Sequence, residues 1–299
     1  METIVDLSQS TIAVTGATGF LGSHIALECL KQGASVRGVV RSPEKGVWLQ
    51  DQGVHFSKAD LMDEAALTEA FKGVDVVISN AALFTVKRAS WDDFYLPNKM
   101  GTINVYNAIK AAGVSRVIQI STIGVYRPKL TGALTEDSPR LKERDRYINW
   151  NYAVTKAMSE DIAWDLSAKY GLDMTVIRPG PIYGPRDRNM VPVFDRLMKW
   201  PVMLAPSFGL PAVHVADVAQ AVVQSVANDD TIGAAYNTAG TPVSIRQFMK
   251  TWKNITGSGP KLLPLWVPMK LSVDISAAER DLNFTNRPLY EGLQQTLVP

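Results

Sequence analysis

"TIAVTGATGFLGSHIALECLKQG", residues 11–33, decides the fold. Its first six residues are a short apolar run ending in glycine, the mark of a buried strand. From Phe20 the apolar side chains recur at helical spacing and stop at Gly33, a residue suited to the left-handed turn that follows a helix. Between the two, "TGATGFLG" (15–22) spaces Gly16, Gly19 and Gly22 as G-x-x-G-x-x-G. Glycines at a strand-to-helix turn permit positive φ, close backbone approach to a pyrophosphate, and tight packing of helix on strand. The helix start adds free N–H groups and the positive end of its dipole. The stretch reads as a cradle for a dinucleotide.

Outward from it the same alternation continues. "SVRGVV" (35–40), "VDVVIS" (74–79), "SRVIQIS" (115–121) and "DMTVIRP" (173–179) read as strands. "ALTEAFKG" (66–73), "PNKMGTINVYNAIKAAG" (97–113, with Pro97 near its first position) and the region 150–170 read as helices. Such alternation means β-α-β units with right-handed crossovers. The expected class is α/β, a Rossmann-like doubly wound parallel sheet. After about residue 180 the elements shorten and prolines gather (Pro181, Pro185, Pro192, Pro201, Pro206, Pro211). We therefore expect an NAD(P)-binding part over 1–180. A smaller substrate-binding lobe over 181–299 is interwoven with it and is not an independent domain.

The composition narrows the function. The 299 residues are 46% hydrophobic and 20% charged, with a net charge of +2 and no basic stripe interleaved with aromatics, which argues against nucleic acid. No apolar run approaches the ~18 residues of a membrane span. "METIVDLSQS" is not a signal peptide, so a soluble cytoplasmic protein is expected. Cys29 is the only cysteine, which suits a small apolar filler in a reducing compartment. His24, His55 and His214 stand far apart in sequence and show no ligand spacing, so no metal is expected.

The end of the second strand reads the ribose of a dinucleotide. Here it offers Arg41, with Lys45 close by and no carboxylate before Glu44. A guanidinium suits a 2′-phosphate, so NADP is favoured over NAD.

Three Tyr-x-x-x-Lys patterns compete for the chemistry: "YLPNK" (95–99), "YNAIK" (106–110) and "YAVTK" (152–156). A crossover helix starts at the ligand edge of the sheet, so a catalytic pair belongs in its first turns. With Pro97 as a helix start, Tyr95 falls outside the helix and shares no face with Lys99. Tyr106 lies nine residues past Pro97, about 13 Å from the edge, and reads as packing against the sheet or a partner subunit. Tyr152 and Lys156 stand near the start of theirs. The neighbouring strand ends in two hydroxyls, Ser121 and Thr122. A phenol can give a proton to the alkoxide left by hydride transfer. Its ordinary pKa near 10 is lowered by a nearby ammonium and by the positive charge of an oxidised nicotinamide.

Together these features resemble the extended short-chain dehydrogenase/reductase superfamily, the group of NAD-dependent epimerases and dehydratases. The resemblance also rests on "ADL" (59–61), "SNAA" (79–82), "GVSRVIQIST" with "VY" (125–126), "EDSP" (136–139), "IRPGPIYGPRD" (177–187), "VHVADVAQA" (213–221) and "YEGLQQT" (290–296). It implies a catalytic set of Thr122, Tyr152 and Lys156, with Thr122 rather than Ser121 holding the substrate oxygen. It places the cofactor on Gly16, Thr18, Gly19, Phe20, Leu21 and Gly22, and its adenosine end on Arg41, Lys45, Asp60 and Leu61. Asn80, Ala81, Ala82, Ile120, Pro179 and Ile182 line the rest of the groove, with Tyr152 and Lys156. It implies a homodimer through the helices over 97–113 and 150–170. Two departures bear on the substrate. Pro181 and Ile182 stand where nucleotide-sugar epimerases often carry asparagine, which looks more like the hydroxysteroid and dihydroflavonol-reductase branches. Ile123 and Gly124 stand where dehydratases carry an Asp-Glu pair, which argues against 4,6-dehydration. Candidate substrate contacts are Phe84, Ile123, Trp150, Asn151 and Pro181, with helix-start packing an equal role for Trp150 and Asn151. "WVPM" (266–269) reads as lobe core, with a pocket wall as the alternative. The leading expectation is an NADP(H)-dependent oxidoreductase interconverting a carbonyl and a secondary alcohol on a small-molecule substrate. The alternatives are a nucleotide-sugar epimerase with tightly held NAD(P) and a non-catalytic NADP-binding redox sensor.

Overall fold

A computed structural model describes residues 6–82, 90–129, 132–147, 150–267 and 271–298. Seven parallel strands form the main sheet: β1 (Thr11–Thr15), β2 (Ser35–Val40), β3 (His55–Lys58), β4 (Val76–Ser79), β5 (Arg116–Ile120), β6 (Asp173–Pro179) and β7 (Ala235–Thr238). Their spatial order is β7-β6-β5-β4-β1-β2-β3. The direction of winding reverses between β1 and β4, where an open sheet leaves a crevice at its carboxyl edge. Five helices cover the faces: α1 (Phe20–Lys31), α2 (Glu64–Phe71), α3 (Trp91–Ala112), α4 (Asn151–Tyr170) and α5 (Val215–Ala227).

Alternating side chains of each strand feed two apolar layers. Ile12 and Val14 point into the layer of Ile25, Cys29 and Val222, which belong to α1 and α5. Ala13 and Val77 point into the opposite layer, with Leu67, Val105 and Ile109 from α2 and α3 and Ala163 from α4. Because both faces are covered, β4 and β5 are buried along their whole length. The last strand and α5 come from beyond residue 180, so both halves of the chain build the sheet and its cover.

One boundary differs from expectation, with consequences for the site. Helix α3 begins at Trp91, and Pro97 lies inside it. Ser90 starts the helix through a reciprocal cap: its hydroxyl accepts from the Asp93 N–H, and the Asp93 carboxylate accepts from the Ser90 N–H. That local pair outweighs the pull of Pro97 as a first residue. The proline forfeits one intrahelical bond near the start, where the cap and packing against α4 hold the turn. Tyr95 and Lys99 therefore do share a helical face, and Lys99 Nζ donates to the Tyr95 hydroxyl at 2.7 Å.

Beyond the main sheet, the Ile245–Thr256 helix buries Phe248, Met249 and Trp252 in a separate cluster with Phe194, Met198 and Leu293. A two-stranded parallel ribbon, Val202–Pro206 beside Lys261–Leu265, packs on it through Met203 and Leu262. Trp266 is not lobe core: it is 78% exposed, because the chain leaves the ribbon just before it. Pro268 and Met269 of the same stretch, like Phe84, lie outside the described residues.

Candidate active site

The glycine turn closes on itself before it offers anything to a ligand. Gly16 sits at φ +68°, and its carbonyl accepts the Gly19 N–H at 2.9 Å. A Cβ on Gly22 would lie 2.3 Å from that carbonyl and 2.8 Å from Asn80 Nδ2, so only glycine lets α1 approach β1 and β4 this closely. The far wall is pinned to the same place. The backbone N–H groups of Asn80 and Ala81 each donate to Thr15 Oγ1 at 2.9 Å, and Asn80 Nδ2 donates to the Thr15 carbonyl. Helix α1 follows an extended Gly19 with no side-chain cap and no acid in its first turn. A helix start lacking its acceptors fits an anionic diphosphate, so these residues suit a dinucleotide.

Arg41, at the tip of β2, is exposed and 3.9 Å from the Asp60 carboxylate. Asp60 also accepts the Met62 N–H, and the Leu61 carbonyl accepts from Asn104 of α3. Lys45 is exposed on the turn Pro43–Gly46, and Gly46 packs against Thr18. The stretch after Tyr183 reaches round α1: the Pro185 carbonyl lies 3.1 Å from His24 Nε2, and the Arg186 guanidinium stacks on Trp48.

With the helix start at Trp91, the first-turns criterion no longer separates Tyr95/Lys99 from Tyr152/Lys156. Contact with the strand edge does. Lys156 is buried and donates to the carbonyl of Ile120, the last residue of β5, at 2.8 Å. Tyr95 instead lies beside Trp91, with its ring 5.3 Å away, on a half-buried flank of α3. Tyr106 is fully buried fifteen residues into α3, bonded to Gln119 and Met174, while the exposed Lys110 reaches the Tyr170 carbonyl.

The structure also separates the two hydroxyls. Ser121 Oγ donates to the buried Glu160 carboxylate at 2.5 Å, which turns it into the protein. Thr122 is half-buried; its Oγ1 faces the Pro179 carbonyl at 3.4 Å and accepts the Gly124 N–H. Tyr152, one turn before Lys156, lies between two rings, Trp150 at 4.8 Å and Phe94 of α3 at 6.1 Å. Of the other candidates, Ile123 is only 7% exposed and packs with Ala153, Val154 and Ala157. Trp150 is half-exposed, Asn151 opens α4, and Pro181 and Ile182 leave the end of β6 towards Val213.

Burial holds the Tyr152 phenol above its ordinary pKa, the opposite of the lowering expected from Lys156. The ammonium is itself drawn down, to about 8, by burial against the opposing pull of Glu160. At neutral pH an ammonium with that pKa still carries its proton, and the positive charge of an oxidised nicotinamide would add to its pull on the phenol. Ser79, Asn98, Gln119 and Ser159 surround a polar cavity of about 10 Å³ behind Lys156, close to the room one water needs. We expect kcat/KM for carbonyl reduction to fall as pH rises through about 8, where Lys156 loses its proton. A profile flat to about pH 10, the ordinary lysine range, would remove Lys156 from the chemistry.

Sequence reading missed the group that seats this helix. Glu160, one turn beyond Lys156, is buried and paired with Arg178 of β6 at 2.6 Å and with Arg140 at 2.5 Å. Burial pushes its carboxyl up, but the Arg178 hydrogen bonds and charge outweigh this and hold it below the usual range. Arg178 also donates to the Tyr126 hydroxyl, which donates to Asn237 of β7. The chain ties α4 to β6 and β7. Its only sequence trace is a lone Arg in an apolar strand and a Glu next to Asp161 on a helix that reads as amphipathic surface.

A sheet of this order, with a glycine turn at its reversal point and ionisable groups at the carboxyl edge, defines a dinucleotide-dependent α/β enzyme. The chain belongs to the NAD dependent epimerase/dehydratase family, whose sequence model matches residues 12–239. Among its curated relatives, cinnamoyl-CoA reductase 1 of Petunia hybrida is 34% identical over 60% of this chain, a match spanning 56% of that reductase. A dTDP-4-dehydro-6-deoxy-D-allose reductase of Streptomyces sp is 26% identical over 96% of this chain and 94% of its own length. The solved structure of the Bordetella bronchiseptica enzyme WbmH in complex with NAD+ superimposes with a TM-score of 0.80, at 26% identity and 96% coverage of both chains. Among the described residues no helix is long and apolar enough to cross a membrane.

Proposed function

We propose that this chain is an NADP(H)-dependent oxidoreductase that interconverts a carbonyl and a secondary alcohol. The observation that carries the reading is the seat of Lys156 on the Ile120 carbonyl, with Thr122 two residues beyond and Tyr152 one helical turn before. A nicotinamide held by the glycine turn would supply the hydride in reduction and take it up in oxidation. Thr122 Oγ1 orients the carbonyl oxygen by donating to it, for which its long bond to Pro179 is easily given up. Tyr152 protonates the oxygen as charge develops there, and Lys156, protonated at neutral pH, returns a proton to the phenol and is itself reprotonated from solvent. The Phe94 and Trp150 rings beside Tyr152, with Pro181 and Ile182 where sugar-nucleotide epimerases often carry asparagine, favour an apolar or aromatic carbonyl compound over a sugar nucleotide. Residues 1–180 bind the cofactor and 181–299 shape the substrate side, and α3 and α4 are the proposed dimer contact.

The test is stoichiometry. Net oxidation of added NADPH with a carbonyl substrate supports the reading; epimerisation with no net turnover replaces it with the epimerase alternative. Arg41 is the proposed 2′-phosphate contact, because it is exposed and only loosely paired with Asp60. Arg41→Ala is expected to raise KM for NADPH on the order of tenfold, the worth of one charge-assisted hydrogen bond, and to leave KM for NADH unchanged. A wild-type preference for NADH would overturn the NADP assignment.

A further inference from the structure

The parallel ribbon carries an apolar face that no other described residue covers. Along Val202–Pro206, Val202 and Leu204 are 47% and 58% exposed; along Lys261–Leu265, Leu263 and Leu265 are 39% and 41% exposed. The register sets Leu204 beside Leu263, so these side chains form one continuous surface. Trp200 before the first strand and Trp266 after the second extend it, at 51% and 78% exposure. Between them Met203 and Leu262 face inward, so a β pattern normally polar on its solvent side carries aliphatic side chains on both. Contiguous exposed apolar patches of this kind mark docking surfaces.

The surrounding charge indicates what docks. From Thr231 to Val273 the sequence has five cations, Arg246, Lys250, Lys253, Lys261 and Lys270, and no Asp or Glu. Arg246, Lys250 and Lys253 recur at helical spacing on the exposed side of the Ile245–Thr256 helix, opposite Phe248 and Trp252. Lys253 donates to the Gly259 carbonyl, two residues before the ribbon strand, and Lys261 opens that strand on its exposed face. Two copies meeting by this face would bring like charges together, whereas an anionic surface would neutralise them. Tryptophans and lysine stems beside aliphatic side chains suit the headgroup boundary of a bilayer, where rings sit half in hydrocarbon and ammonium groups reach phosphate.

We propose that this ribbon face docks the protein on the surface of an anionic lipid bilayer. The test is co-sedimentation of the full chain with phosphatidylcholine vesicles and with vesicles about one-third phosphatidylglycerol, a fraction that gives a strongly negative surface. The expected result is at least about tenfold more protein in the pellet with the anionic vesicles, lost on raising salt, with a blue shift of tryptophan emission. Leu204→Glu should abolish pelleting at an unchanged melting temperature, since Leu204 touches no core; Trp266→Ser should weaken it and reduce the blue shift. No pelleting, or equal pelleting on neutral vesicles, overturns the proposal. So does concentration-dependent self-association removed by Leu204→Glu, which would assign the face to a second copy.

Discussion

Tyr152→Phe is expected to lower kcat for carbonyl reduction by about 10²–10⁴-fold, the usual worth of a positioned acid, and to leave NADPH affinity nearly unchanged. The substitution removes one oxygen and keeps the ring, so the packing against Phe94 and Trp150 survives. Lys156 keeps its bond to Ile120, because that contact does not pass through the phenol. The readout is steady-state turnover beside a cofactor titration by fluorescence. Activity within a few fold of wild type would refute the assignment. Tyr95→Phe serves as control: that phenol also has a lysine partner, yet away from the strand edge, and its loss should leave turnover intact.

Glu160→Ala is expected to destabilise the fold by about 3–5 kcal/mol, because it leaves the buried Arg178 guanidinium without its counter-charge. Arg178 is 2% exposed, so water cannot take the place of the carboxylate. The same substitution frees Ser121 and removes the charge that opposes the burial of Lys156. The basic limb of the pH profile should therefore move below about 8. Urea unfolding measures the first effect, and loss of less than about 1 kcal/mol would show that the pair is not the anchor of α4. Glu160→Leu combined with Arg178→Met should recover much of the stability, since an apolar pair of similar volume avoids the cost of burying charge.

Much of the fold was legible because its signals are local. The glycine turn, the strand-helix alternation and the glycines that end α1, α3 and α4 record constraints acting over a few residues. The start of α3 was equally local, in "SWDD", but a proline six residues into the helix read more strongly than a serine-aspartate cap. That misplacement excluded Tyr95/Lys99 for the wrong reason. The correct reason is tertiary: Lys156 meets the carboxyl end of β5 and Lys99 does not.

By itself, then, the sequence determined the parallel sheet, the cradle at its first turn and the presence of a Tyr/Lys pair on a crossover helix. Only the tertiary structure decided which pair reaches the strand edge, that Ser121 turns inward while Thr122 stays accessible, and that Glu160 and Arg178 lock α4 to the sheet. It alone left the face of Leu204 and Leu263 exposed among the described residues. Periodicity along a chain records which faces are apolar, whereas partners for a buried charge or an apolar face come from segments tens of residues away. Their meeting is set by packing, which no local pattern encodes.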